Sequence, residues 1–377
     1  MSTPAVTDPP APARSAPLPP RLLRTRTSRV WALVLVGAYV LAPLTVSDFW
    51  LSVLAYAGIA AIGAFGLNLL TGYAGQVSLG HAAFIGVGAY AAGWLGADEG
   101  LPLPLWLLGA ALIGGVLGAV VGPFALRLRG QYLVVVTLGL VFLAEHVFRN
   151  WRGLTGGNSG RAIDPPASFG VDFNDFSLGG FAASRAQSWF WLIWALVAVV
   201  ALIAANLARS RAGRALQAIR DRDLAAELTG VDIARTKVAV FALSSALAAL
   251  AGALLGAYQE FVSPSEWNLV LSIQYIAIII VGGLGSVYGP VLGAVFVGSM
   301  PRVIEEYSSS IPGVSSGAGD DGVITVFALN QVLFGVLIIG FLIAEPRGLT
   351  ALARRVAARV NRSSATPART TDNEEET

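Results

Sequence analysis

The chain has 377 residues, of which 55% are hydrophobic and 13% charged, and its formal net charge is +2. Soluble domains usually carry about 25% charged residues, so the depletion points to a membrane protein, and the near-neutral balance offers no basic surface for nucleic acid. With no Cys and only His81 and His146 as histidines, disulfides, thiol catalysis and a Cys- or His-built metal centre are excluded.

Residues 1–28 are rich in Pro, Ala, Ser and Arg without a sustained apolar run, and are expected to form a disordered cytoplasmic tail. The first apolar run, near 30–46, lies too far in for a cleavable signal. Apolar segments follow near 51–71, 77–95, 105–126, 131–148, 187–207, 238–261, 268–283, 286–304 and 323–344. A spanning helix takes about 20 apolar residues, and the pattern predicts an all-α polytopic membrane protein of about ten transmembrane helices. The transmembrane domain is expected over 29–346, followed by a cytoplasmic tail over 347–377 that is disordered from about Asn361.

Arginine positions orient these segments by the positive-inside rule. Arg21, Arg24, Arg26 and Arg29 precede the first span, and Arg127 and Arg129 follow the fourth. Arg209 through Lys237 follow the sixth, and Arg347, Arg354, Arg355 and Arg359 follow the last. Alternating crossings put every cluster on one side, so both termini are expected in the cytoplasm. The connections near 149–186 and 305–322 then face outward, where they can dock an external partner or serve as plain solvated links.

The 208–237 connection is more than a basic loop. Asp221 is placed to cap a helix that Gly230 ends, and Ala225 and Ala226 permit close approach of another surface. Leu216, Ile219, Leu224 and Leu228 form no single stripe, which predicts two short helices with a bend. The block Gly72-Tyr-Ala-Gly-Gln-Val-Ser-Leu-Gly80 discourages continuous helix. Broken backbone at membrane depth is tolerated only inside protein or beside a water-filled cavity. Gly282-Gly-Leu-Gly285, followed by Gly289, has related spacing, and paired breaks point toward a translocation route. Small-residue helix packing is the competing explanation. The polar Gln76, Ser78 and His81 beside Gly72 and Gly75 favour the route. Glu145 and His146 near a span end are read as pairing locally with Arg149, and Thr137 as a local backbone partner. Lys237, the only lysine, is followed by Val238, so the phosphate loop G-x-x-x-x-G-K-[ST] is absent.

Ala225-Ala226-x-x-x-Gly230 resembles the coupling motif by which permeases of ATP-binding-cassette importers dock on their ATPases, although Leu224 stands where the general motif is acidic. Ser210 to Ala253 resembles the LivM-type permeases of branched-chain amino acid importers. So do Leu67-Asn-Leu-Leu-Thr-Gly-Tyr-Ala-Gly-Gln-Val-Ser-Leu-Gly-His-Ala-Ala-Phe84, Leu128-Arg-Gly-Gln-Tyr-Leu-Val-Val-Val-Thr137, Leu154-Thr-Gly-Gly-Asn158 and Val281-Gly-Gly-Leu-Gly-Ser286. The resemblance spans roughly 50–345. It implies an inner-membrane permease without enzymatic activity or cofactor of its own. Its partners would be a second homologous permease, two cytoplasmic ATPases that bind the ATP, an extracytoplasmic solute-binding protein and membrane lipid. Ala225, Ala226 and Gly230, supported by Arg214 and Arg220, would carry coupling. The expected solutes are branched-chain or other aliphatic amino acids, the alternative being urea or short amides. An ion-coupled transporter working alone is a reading from a different class, and would need a buried acid, for which Glu145 is the candidate.

Overall fold

The computed structural model describes residues 26–126, 131–163, 167–168, 171–172, 176–178, 181–308, 314–315, 324–344, 348–352 and 355. The expected tail over 1–25, the 127–130 turn and most of the C-terminal stretch lie outside the described residues. The chain divides within its first helix, between Ala38 and Tyr39; the packing below concerns residues from Tyr39 onward.

Helix α1 spans Arg26–Thr45, and α2 spans Asp48–Leu67 and runs on through a π-helical stretch, Asn68–Tyr73. Helix α3 (His81–Ala92) likewise continues as a π stretch, Gly93–Asp98. Then come α4 (Leu103–Leu126), α5 (Gln131–Asn150), the one-turn α6 (Arg152–Thr155) and α7 (Arg185–Arg209). Helices α8 (Arg211–Asp221) and α9 (Asp223–Leu228) are short, and α10 (Ile233–Gln259) is the longest. Helix α11 covers Leu269–Gly282, α12 Gly289–Gly293 with a π stretch Ala294–Gly298, α13 Met300–Tyr307 and α14 Val326–Ala344. Each apolar segment expected from the sequence falls mainly on helix, but the 77–95 segment becomes helical only from His81, and the 286–304 segment is divided, from Gly289 on, among α12, the π stretch and α13. Five helices are long and apolar enough to cross a membrane: Asp48–Tyr73, Leu103–Phe124, Tyr132–Asn150, Arg185–Arg209 and Ile233–Gln259.

Short polar residues start these helices by satisfying their first free N–H groups. Ser184 and Gln187 form a reciprocal capping box on α7. Ser210 Oγ accepts from Gly213 N at the start of α8, Asp232 from Arg235 N on α10, and Asn268 from Leu271 N on α11.

Helix α10 is the axis of the packing, lying against α4, α3 and α2. Its inner face is small (Ser244, Ser245, Ala248, Ala249, Ala251, Gly252, Ala253) and buried, which lets backbones approach closely, as in membrane helix pairs generally. A Cβ on Gly88 of α3 would stand 1.9 Å from Ala249 O, and one on Gly252 would stand 1.8 Å from Ile85 O. Backbone meets backbone at both points.

At the Asp48 end of α2, ion pairs and a strand pair tie the connections together. Arg161 bridges Asp98 at 2.6 Å, Arg185 bridges Glu260 at 3.0 Å, and Ser184 Oγ donates to Asp48 at 2.9 Å. The strands Arg161–Ala162 and Phe261–Val262 pair antiparallel. The guanidinium of Arg302 lies 4.2 Å from the Tyr56 ring centroid and donates to its hydroxyl. Residues 161–163 and Arg185 thus anchor the 149–186 connection to the α10–α11 connection.

Candidate functional site

At the far end of α2 the glycine-dense block breaks the helix. After the π stretch, Gly75 adopts φ +70°, which glycine reaches without steric penalty. The segment 74–80 then runs back alongside α2, because His81, the first residue of α3, donates from Nε2 to the Gly63 carbonyl at 3.0 Å. Gly63 lies nearly three turns before Tyr73, roughly 15 Å along the axis. Helix α3 therefore begins deep within the bundle.

Protein groups satisfy the exposed backbone of this break, as burial requires. Gln76 N donates to Leu70 O at 3.1 Å, and Thr71 Oγ1 donates to Gln76 O at 2.9 Å. Leu79 N donates to Thr137 Oγ1 on α5 and Ala82 N to Ser272 Oγ on α11, both at 3.0 Å; Gly80 N donates to Ser78 Oγ at 3.2 Å. Thr137 also bonds its own helix through Val134 O, so it is a local partner and an inter-helix one together. Gln76, Ser78 and His81 are all buried. Neither side-chain heteroatom of Gln76 has a hydrogen-bond partner among the described residues. His81 stacks at a tilt on Tyr275 of α11, with centroids 5.0 Å apart.

The second glycine block meets the first. Helix α11 ends at Gly282, and the turn through Gly283 and Gly285, both at positive φ, leads into α12. Buried Asn68 reaches across to it: its Nδ2 donates to Ser286 O and its Oδ1 accepts from Gly285 N, each at 2.9 Å. A Cβ on Gly72 would stand 2.2 Å from Asn68 Oδ1 and 2.5 Å from Gly285 N, so the clasp closes only around a bare glycine. Gly348 joins from the C-terminal side, where a Cβ would stand 2.7 Å from Gly283.

The 208–237 connection folds as two short helices with a bend. Ser210 caps α8, and Asp221 does not cap α9 as expected: it ends α8, the chain extends at Arg222 (φ −159°), and Arg222 holds the α9 cap position without a side-chain cap hydrogen bond. Leu216, Ile219 and Ala226 are buried, whereas Leu224 and Leu228 on α9 are 75% and 90% exposed. Ala225 is exposed and Gly230 follows at φ +84°, with open space around it. Lys237 pairs with Asp223 at 2.8 Å. Arg214 turns back to the Arg209 carbonyl at 3.2 Å. Arg220 reaches the other way, donating from Nη1 to the Gly72 carbonyl.

The coupling and route candidates, separate in sequence, therefore converge at Arg220, Gly72, Gly75 and Gly285. Sequence reasoning passed over Asn68 and Ser272. Their signal was a polar side chain inside an apolar segment, for Asn68 four residues ahead of Gly72. Glu145 lies at the exposed end of α5, paired with Arg149 at 2.6 Å, and Asn150 bonds the His146 carbonyl at 2.8 Å. Among the described residues no group of three or more His, Cys, Asp or Glu could hold a metal ion.

Broken helices inside an apolar helical bundle, with a charged helix pair at one end, are features of transport proteins. Residues 49–342 match the family described as branched-chain amino acid transport system / permease component, and the chain belongs to that family. It is 29% identical over 339 residues to the high-affinity branched-chain amino acid transport system permease protein LivM of Escherichia coli, covering 85% of this chain and 75% of that one. It is 26% identical over 300 residues to the probable branched-chain amino acid transport permease protein LivH of Methanocaldococcus jannaschii, covering 78% and 89%. The autoinducer 2 import system permease protein LsrC of an Enterobacter strain is 28% identical over 290 residues, covering 74% and 73%. No solved structure matches the chain.

Proposed function

We propose that this protein is a permease subunit of an ATP-binding-cassette importer that carries branched-chain or other aliphatic amino acids across the inner membrane of a prokaryote. The observation that carries the reading is the α8–α9 pair. It is short and rich in charges of both signs, lies between two long apolar helices, and exposes Leu224 and Leu228 one helical turn apart. Large apolar side chains at such exposure on a helix outside the spans suit a protein partner. Leu224, Ala225 and Leu228 form the docking face for a cytoplasmic ATPase, buried Ala226 packs beneath them, and Gly230 permits the turn that follows.

On this reading both termini and α8–α9 are cytoplasmic, and the Arg161–Asp98 end faces outward toward a solute-binding protein. About ten helical segments lie in the membrane. Those around 74–80 and 283–288 are breaks, and Gln76, Ser78 and His81, with Gly72 and Gly75, line or border the route. A second homologous permease and two ATPases complete the complex, and ATP belongs to the ATPases. An ion-coupled transporter would want a buried carboxylate at depth, whereas Glu145 sits at an exposed helix end beside Arg149.

Proteoliposomes containing the complete complex test the reading. Uptake of labelled leucine, isoleucine or valine should require internal ATP and external binding protein. Uptake driven by a proton or sodium gradient without ATP would refute it, and ATP-driven uptake of urea in place of leucine would replace the solute class.

A further inference from the structure

We propose that Arg220 is the positioning residue that transmits movement of the cytoplasmic helix pair to both chain breaks at once, an inference that rests on the importer reading above. The geometry is specific. Its Nη1 donates to the carbonyl of Gly72, in the last turn of the helix Asp48–Tyr73. A Cβ on Gly285 would stand 3.0 Å from the same nitrogen and 3.1 Å from Gly72 O, so the second break closes over the same guanidinium. A Cβ on Gly75 would stand 3.1 Å from Arg220 Cγ. Gly75 and Gly285, one from each block, together clear the slot in which this side chain lies.

Electrostatics fit the placement. Helix ends leave carbonyls unpaired and carry partial negative charge. Here the helix end at Gly72–Tyr73 presents that charge to the guanidinium. Among the described residues Arg220 makes no ion pair with a carboxylate, so its cation is matched by backbone dipoles. A planar guanidinium with five donors can hold two segments together in a way a lysine ammonium cannot. Because Asn68 clasps Gly285 and Ser286 from the α2 side, a pull on Arg220 acts on the ends of α2 and α11 jointly. Ser210, Leu216 and Ile219 fix α8 on the bundle, so Arg220 connects the docking helices to the breaks near the deep start of α3.

The test uses the whole importer in proteoliposomes, reading solute moved per ATP hydrolysed. In Arg220→Ala the ATPases should still co-purify, while transport per ATP falls at least about 10-fold, the scale of one lost charge-assisted hydrogen bond. Arg220→Lys should recover part of it through a single donor to Gly72. A wild-type ratio in Arg220→Ala, or loss of ATPase co-purification, would overturn the assignment, the second outcome making Arg220 a docking residue. A covalent substitute guards against misfolding of the alanine variant. A Cβ on Gly75 would stand 3.5 Å from Arg220 Cβ, within the usual disulfide range, and the chain has no native Cys. The double variant Gly75→Cys/Arg220→Cys should transport more per ATP when oxidised than when reduced. Equal ratios despite a formed crosslink would overturn the proposal. Absence of ATP-driven uptake in wild-type vesicles would instead refute the importer reading, and the proposal with it.

Discussion

Replacing Asn68 by Leu removes the clasp between the two glycine blocks while keeping the same branched skeleton of side-chain heavy atoms. Asn68 is 2% exposed and makes two 2.9 Å bonds, one to Ser286 O and one from Gly285 N. Each bond contributes about 1 kcal/mol net, and leaving its backbone partner buried and unpaired adds about 1–3 kcal/mol more. Partial relaxation of the turn brings the sum to about 2–4 kcal/mol of local stability. At 1.4 kcal/mol per decade this multiplies the opening equilibrium of the 283–288 turn by roughly 30- to 700-fold. Hydrogen exchange read by mass spectrometry on the peptide covering 283–288 should show that acceleration, with peptides from α4 unchanged. Asn68→Asp retains the acceptor for Gly285 N but loses the donor to Ser286 O, so it should fall between Leu and wild type. Unchanged exchange at 283–288 in Asn68→Leu would refute the clasp and the convergence of the two breaks.

Leu228→Arg alters an almost fully exposed side chain, so the fold should hold within about 0.5 kcal/mol while the ATPase no longer co-purifies. Gly230→Val meets no neighbour within 4 Å but forces a β-branched residue to φ +84°. It should cost about 1–2 kcal/mol by backbone strain alone, weakening assembly measured at limiting ATPase. Glu145→Gln breaks an exposed helix pair with Arg149 worth at most about 1 kcal/mol. Uptake and its dependence on pH should be unchanged; a lost proton dependence would revive the ion-coupled reading. Single cysteines introduced into this Cys-free chain at Glu99 and Thr229 should label from outside and not label, respectively, with an impermeant reagent in intact cells.

Much of the helical layout was legible because lipid imposes a simple rule: apolar residues in runs of helical length. The pairing of Glu145 with Arg149 was legible for the same local reason, since residues four apart on a helix are neighbours. The bend between α8 and α9 showed in the scatter of Leu216, Ile219, Leu224 and Leu228. The cap was misplaced, however. Asp221 has the capping chemistry, but α8 runs through it, and the extended residue that starts α9 is Arg222, whose side chain makes no cap. The π-helical stretches at 68–73 and 93–98 left no sequence signal, because composition does not distinguish them from α-helix. The meeting of the two glycine blocks was unreadable for a deeper reason. Gly72 and Gly285 are more than two hundred positions apart, and their contact depends on how α11 lies against α2. Arg220 was legible as a support of the coupling loop, but its reach to the Gly72 carbonyl was not.

The backbone contact between α3 and α10 constrains how this protein can move. Helices that meet through long side chains slide a little by switching rotamers, because the layer between them is soft. Between Gly88 and Ala249, and between Gly252 and Ile85, no such layer exists. Sliding would drive carbonyls into Cα atoms, so the two helices tilt as one stiff lever, and the flexing falls to the non-helical segments at its ends. For α3 that segment is 74–80 and for α10 it is 260–268. The first lies against Arg220 and the second pairs with the strand Arg161–Ala162 and with Ile163, so one rigid lever has a pivot toward each end of the bundle.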